Sequence, residues 1–238
     1  MLSDAPISKE NLDQYLKELA KEYRKCGGKH TEAEIILFGG AAVLINYGFR
    51  QTTYDMDVII CAASSMKEAI NHVGDMFNLP NGWMNDNIKE TASYTPKILQ
   101  YTEHYRKYYT VEFRTVKGEY LVAMKMRAGR EYKNDRSDII GVLWEQEKKG
   151  DPLSIERIKK AVEDLYGCYD VISEDVRDFV DRAIQNGEYE ELYASVREIE
   201  KENENIVLDY QEEKPDVINR DNINKVLEAL RKRKGNNQ

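Results

Sequence analysis

Two aspartates two residues apart, Asp55 and Asp57, sit in the run Tyr54-Asp55-Met56-Asp57-Val58-Ile59-Ile60. Read as a strand, that run sends both acids to one face, roughly 6–7 Å apart at Cα, and Met56, Val58 and Ile60 to the opposite, buried face. Like charges that close repel, which raises at least one pKa unless a cation sits between them. Carboxylate oxygens are the ligands Mg²⁺ prefers, and that ion also keeps waters and takes substrate phosphates. The pair therefore reads as a clamp for a metal–nucleotide complex. Upstream, Ile35-Ile36-Leu37-Phe38 runs into Gly39-Gly40 and then Ala41 to Tyr47. This reads as a buried strand, a tight turn and a short helix, with Gly48 as its C-cap. The free N–H groups and dipole of a helix start favour an anion, and glycine lets a phosphate approach the backbone. A phosphate cradle beside a Mg²⁺ clamp is what nucleotidyl transfer requires. Taken alone, the glycines also fit a plain turn and the aspartates a solvated strand end; order and spacing together point to a site.

The elements that must hold these residues follow from periodicity. Leu12, Tyr15, Leu16, Leu19, Ala20 and Tyr23 recur at helical spacing, with Ser8 as N-cap and Gly27-Gly28 as stop. A helix is expected over 66–77, a loop at Leu79-Pro80-Asn81-Gly82, and β structure over 98–101 and 107–116. In the second of these, Tyr109, Val111, Phe113 and Thr115 share one face, and Tyr108, Thr110, Glu112 and Arg114 the other. Helical patterns then cover 119–131, 136–149 and 153–167, the last after Asp151-Pro152, and most of the chain from Ser173. The expected fold class is α+β (α/β): a small mixed sheet with flanking helices, followed by a helical C-terminal part. The expected organisation is an N-terminal helix (1–30), the sheet core (31–117), a helical block completing the site (118–170) and an acidic helical region (171–238). Acidic residues between Glu188 and Glu213 read as a solvated helix face, and Arg231-Lys232-Arg233-Lys234 as a frayed basic end.

Composition removes other classes. The 238 residues carry 35 Lys+Arg and 43 Asp+Glu, a net charge of −8. That argues against a surface given over wholly to nucleic acid, though not against a local basic groove. No apolar run approaches the roughly 18 residues of a spanning helix, and the N-terminus lacks a signal-peptide layout. Cys26, Cys61 and Cys168 form no CxxC pair, which fits a reducing cytoplasm. His30, His72 and His104 have no zinc-ligand spacing, and no Walker lysine follows the glycines. Tyr94, Tyr101, Tyr105, Tyr108 and Tyr109, with His104, Arg106 and Lys107, could stack bases or form a half-buried sheet and its rim.

Gly39-Gly40-Ala41-Ala42, then Gly48, Arg50, Thr53, Asp55 and Asp57, resemble the signature of the nucleotidyltransferase superfamily. The resemblance is to its bacterial AbiEii-type and related uncharacterised branch. The segment Glu119 to Ala128, followed by Arg130, Asp135 and Asp138-Ile139, is similar to that branch's helical Lys…Arg…Asp…Asp block, and the loop Leu79 to Asp86 to loops in the uncharacterised relatives. The resemblance covers roughly residues 33–145. It implies a Mg²⁺- or Mn²⁺-dependent enzyme moving a nucleoside monophosphate from an NTP to an acceptor, an RNA such as tRNA or a protein, in a toxin-like setting. A non-catalytic nucleotide-binding or regulatory module on the same fold is the alternative. By this resemblance Asp55 and Asp57 hold the metal, and Gly39, Gly40, Arg50, Thr53, Lys125 and Asp138 serve the nucleotide. The third, acceptor-activating carboxylate would be Glu112, for which a surface acid paired with Arg114 or Lys107 is the plainer reading. Lys125 would neutralise phosphate or be an exposed helix lysine. Arg50 would anchor a phosphate or brace its loop, and Asp138 orient Lys125 or cap a helix. One departure stands out: the position after Gly40, often Ser or Thr, is Ala41, which leaves only backbone donors. No membrane partner is expected.

Overall fold

The computed structural model describes residues 7–53, 55–214, 217–219 and 222–235, with side chains as far as Arg231. A short strand β1 (Ile7–Ser8) leads into α1 (Lys9–Lys25), β2 (Ala33–Leu37), α2 (Gly39–Asn46), β3 (Thr52–Thr53), β4 (Met56–Cys61) and α3 (Ser65–Phe77). There follow β5 (Met84–Asn85), β6 (Thr102–Tyr108), β7 (Val111–Val116), α4 (Gly118–Ala128), α5 (Asp135–Lys148), α6 (Ile155–Tyr166), α7 (Glu174–Asn186), α8 (Tyr189–Glu213) and α9 (Ile223–Gly235). The α+β expectation holds: a mixed five-stranded sheet in the order β5-β4-β2-β7-β6 and a two-stranded sheet β1-β3, together with the helices. Among the described residues no helix is long and apolar enough to cross a membrane.

The chain divides into two compact units, Met1–Met124 with Glu156–Val171, and Lys125–Ile155 with Ile172–Gln238. In the first, one face of the sheet buries Ala33, Ile35, Leu37, Met56, Val58, Val111 and Phe113 against Leu12, Leu16, Leu19 and Tyr23 of α1. The alternation that sorts these residues is the strand period of two meeting the helix period of 3.6. α6 adds Asp164, which accepts from Tyr120 at 2.9 Å, and Tyr166, which donates to the Ser93 carbonyl at 2.6 Å. In the second unit, α5 buries Ile139, Ile140, Val142 and Leu143.

Several sequence expectations shift. Residues 98–101 belong to a 3₁₀ helix, Pro96–Tyr101, begun by the proline at its first turn. The 107–116 run is two strands folded back at Tyr109, whose φ of 53° is left-handed. No glycine or asparagine marks that turn; the Arg24 guanidinium lies 4.6 Å over the Tyr109 ring. From Val111 the expected alternation holds, with Val111, Phe113 and Thr115 buried. In β4 Ile59 is buried and Ile60 only partly so, because apolar groups cover both faces of the strand at that level. Gly48 is not the C-cap of α2; extended Tyr47 ends it. The helix expected over 119–131 stops at Ala128, where Gly129 takes φ 54°. Tyr94, Tyr101, Tyr105 and Tyr108 are half-buried, which fits the sheet-and-rim reading, while Tyr109 is exposed. Tyr101 stacks on Tyr120 at 3.9 Å, Tyr108 meets Phe113 edge-on, and Tyr105 donates to Asp13. The basic run 231–234 lies within α9.

Candidate functional site

Strand β2 ends at Leu37, and Phe38 donates its N–H to the Asp57 carbonyl at 2.9 Å. The next two residues, Gly39 and Gly40, are not a turn ahead of the helix but its first two residues. Their amides and that of Ala41 have no intrahelical acceptor, as at any helix start, whereas Ala42 N–H already reaches Phe38 O. Glycine is required at both positions for different reasons. Gly39 has φ 52°, and a Cβ there would lie 3.1 Å from Asp57 Oδ2. At Gly40 a Cβ would lie 2.7 Å from Thr53 Oγ1 and 2.9 Å from Arg50 Nη2. The glycines are thus the floor of a crowded polar junction. α2 beyond them, Ala41 to Ile45, is wholly buried, so its N-terminus is rigidly placed.

The other wall is the segment from Arg50 to Asp57. Arg50 Nε donates to the Thr52 carbonyl at 3.1 Å, bracing the loop, while its guanidinium reaches over Gly40. Thr53 is buried, and its hydroxyl donates to the Asp55 carbonyl at 3.1 Å. Asp55 is exposed just before β4, and Asp57 is half-buried within it. Gly39, Gly40, Arg50, Thr53 and Asp57 therefore meet at one junction, and Asp55 joins it through its backbone carbonyl. Among the described residues no cluster of three or more acidic, histidine or cysteine side chains could enclose a metal. A carboxylate beside an open helix start, with a second acid two residues away in the chain, suits Mg²⁺, which keeps waters and takes substrate phosphates, better than an ion needing a closed protein cage.

Glu112 stands elsewhere. The register pairs Glu34 with Glu112 on one side and with Cys61 on the other. Cys61 is four residues past Asp57, which sets Glu112 about 13 Å away along the strands. Glu112 accepts from Arg114 at 3.1 Å and contacts His104 at 3.4 Å. His104, then Arg114, hold its carboxyl below the usual range. It lines a cavity of about 200 Å³ with Glu32, Glu34 and Lys107. β7 carries no other carboxylate.

The second unit gathers Lys125 and Asp138. Lys125 is buried rather than exposed, with Nζ 2.9 Å from Asp135 Oδ1 and 2.7 Å from Asp138 Oδ2. Arg130 Nε adds a bond of 2.8 Å to Asp135 Oδ2. Burial would push the Asp135 carboxyl up, but Lys125 and Arg130 outweigh it and hold it far below the usual range. Sequence reasoning missed Glu200, placed on a solvated acidic face. It is buried, and its Oε1 accepts from the backbone N–H of Arg136 and Ser137 at 3.0 and 3.1 Å, capping α5 from α8. The signal was there: Tyr189, Val196, Glu200, Asn203 and Val207 recur at helical spacing, so the two polar residues occupy a core stripe.

A family model described as a nucleotidyltransferase of unknown function matches residues 14–197. Neither a curated protein nor a solved structure matches the chain. The family match spans both the glycine–aspartate junction and the Lys125 cluster, more than three quarters of the chain, and on that ground the protein belongs to the nucleotidyltransferases of unknown function, DUF6036.

Proposed function

We propose that the protein is a Mg²⁺- or Mn²⁺-dependent nucleotidyltransferase that uses an NTP at the α2 N-terminus. The observation that carries this is the approach of Asp57 Oδ2 to within 3.1 Å of where a Cβ on Gly39 would stand, beside the open amides of α2. Backbone N–H groups of Gly39, Gly40 and Ala41 receive the phosphates, with the helix dipole in their favour. Arg50 neutralises phosphate charge from above Gly40. Asp55 and Asp57 would hold the metal. Bound Mg²⁺ would supply neutralisation of the phosphate oxygens and orientation of the pyrophosphate leaving group. The acceptor hydroxyl oxygen bonds to the α-phosphorus as the bond to pyrophosphate breaks, and its proton passes to water. Glu112 takes no part, and Lys125 and Asp138 serve the buried cluster with Asp135. A reducing cytoplasm suits the three free cysteines.

The test is pyrophosphate release from each labelled NTP with Mg²⁺, with and without total RNA or cell protein. Asp57→Asn should lower release at least 100-fold with thermal stability retained. Absence of both pyrophosphate and NTP-induced stabilisation by the wild type overturns the reading. The placement of Glu112 and the lack of a hydroxyl at Ala41 favour one alternative, a nucleotide-binding or regulatory module without turnover. It predicts NTP-induced stabilisation without product. A toxin-like role of the AbiEii kind predicts growth arrest on expression that Asp57→Ala relieves.

A further inference from the structure

The segment that carries Thr53 and Asp55 is held from an unexpected quarter. β1 pairs antiparallel with β3, Ile7 opposite Thr53 and Ser8 opposite Thr52. A ladder of two residues on each side has little stability of its own. Two anchors make this one persist. Ile7 is wholly buried in the core that also holds Leu12, Leu16 and Met56. Directly after it, Ser8 caps α1 and donates its N–H to Asn11 Oδ1 at 2.8 Å. The far side of the ladder is Thr53, whose hydroxyl holds the Asp55 carbonyl and lies over Gly40.

We propose that β1 is a positioning element of the nucleotide site, with Ile7 as its positioning residue. By pairing with Thr53 it tethers the 50–57 segment to the core and sets the spacing between the glycine cradle and the acid pair. The proposal rests on reading that junction as a nucleotide site. It adds that Ile7 and Ser8, ahead of the first helix, belong to the site's framework. Without the ladder, Thr52 and Thr53 would lose their strand pairing, leaving hydrogen bonds within the stretch and its contacts with Gly40 to hold it. The alignment of Thr53 and Asp55 with Gly40 would then vary from molecule to molecule, and affinity for the metal–nucleotide complex would fall by the fraction misaligned.

Amide hydrogen exchange on the full chain without nucleotide tests the tether, with Ile7→Ala, Ile7→Val and Leu19→Ala compared with wild type. Leu19 is equally buried on α1 and pairs with no strand. Ile7→Ala should speed exchange across 50–57 at least tenfold beyond its effect on β2 and β7, and Ile7→Val should do so by a smaller factor. Leu19→Ala should show no such local excess. Equal acceleration in Leu19→Ala, or unchanged exchange at 50–57 in the Ile7 variants, overturns the tether. Should Ile7→Ala fail to fold, Ile7→Val carries the test: a twofold local excess supports the tether, and none overturns it. Titration with Mg²⁺–ATP should then give about tenfold weaker binding for Ile7→Ala and wild-type binding for Leu19→Ala. If the wild type exchanges as expected but binds no Mg²⁺–NTP, the functional reading fails and the tether stands.

Discussion

At the scale of single residues, Gly40 is the sharpest point of the site. A methyl group there would lie under 3 Å from both Thr53 Oγ1 and Arg50 Nη2, so one of them must move. Gly40→Ala should therefore weaken Mg²⁺–NTP binding about tenfold, ~1.4 kcal/mol, at modest cost in unfolding temperature. Gly39→Ala adds a left-handed backbone to its contact with Asp57 and should cost about 1–3 kcal/mol of stability as well. Calorimetric titration and thermal unfolding of the two variants check both, and wild-type affinity in Gly40→Ala would contradict the crowding argument. The approach of Asp57 to the glycines was legible in the sequence because it depends on local order, strand then glycine then helix then strand. The place of Glu112 was not. Its level along the sheet depends on the register between β2 and β7, and parallel register between segments so distant in sequence leaves no local mark.

At the scale of elements, α4, α5 and α8 are joined by buried charge. Removing one partner of a buried ion pair leaves the other uncompensated, so Asp135→Asn should cost about 3–5 kcal/mol. The pH sign follows from the depressed carboxyl of Asp135. The folded state holds this group ionised where the unfolded chain takes up a proton. Its contribution is therefore present above the ordinary aspartate value of about 4 and is lost as pH falls below it. Denaturant unfolding between pH 6 and pH 3 should show that loss in wild type and a flatter profile in Asp135→Asn. Glu200 behaves oppositely, since burial pushes its carboxyl up. A glutamine keeps the acceptor for the α5 amides, so Glu200→Gln should cost little, whereas Glu200→Ala should cost about 1–2 kcal/mol, as for a lost cap. The elements were largely legible where periodicity was clean, as in α1, α3 and α6. They were misjudged where one residue overrode it, as Pro96 did for 98–101 and left-handed Tyr109 did for the hairpin.

At the scale of the whole molecule, the path of the chain decides what can fold. The unit bearing the glycine–aspartate site is discontinuous, since it takes α6 from residues beyond a stretch of the second unit. Sequence patterning suggested boundaries near 117 and 170 because secondary structure changes character there. A return to the first unit over 156–171 has no compositional signature. α6 brings Ile158, Ala161, Val162 and Leu165 as a buried apolar stripe. It also supplies Asp164 to Tyr120, Tyr166 to Ser93 and Arg157 to Glu119. Losing that stripe uncovers several large side chains, each worth about 1.5–3 kcal/mol when buried. The sum is comparable to the whole stability of a domain, about 5–15 kcal/mol. A fragment ending at residue 124 should therefore lack a cooperative thermal transition and the near-ultraviolet dichroism of packed tyrosines. Adding a peptide spanning 152–171 should restore both, with the Tyr120 partnership as the reporter. A fragment that unfolds cooperatively at the full chain's temperature without the peptide would show that the site's unit is complete before α6 arrives.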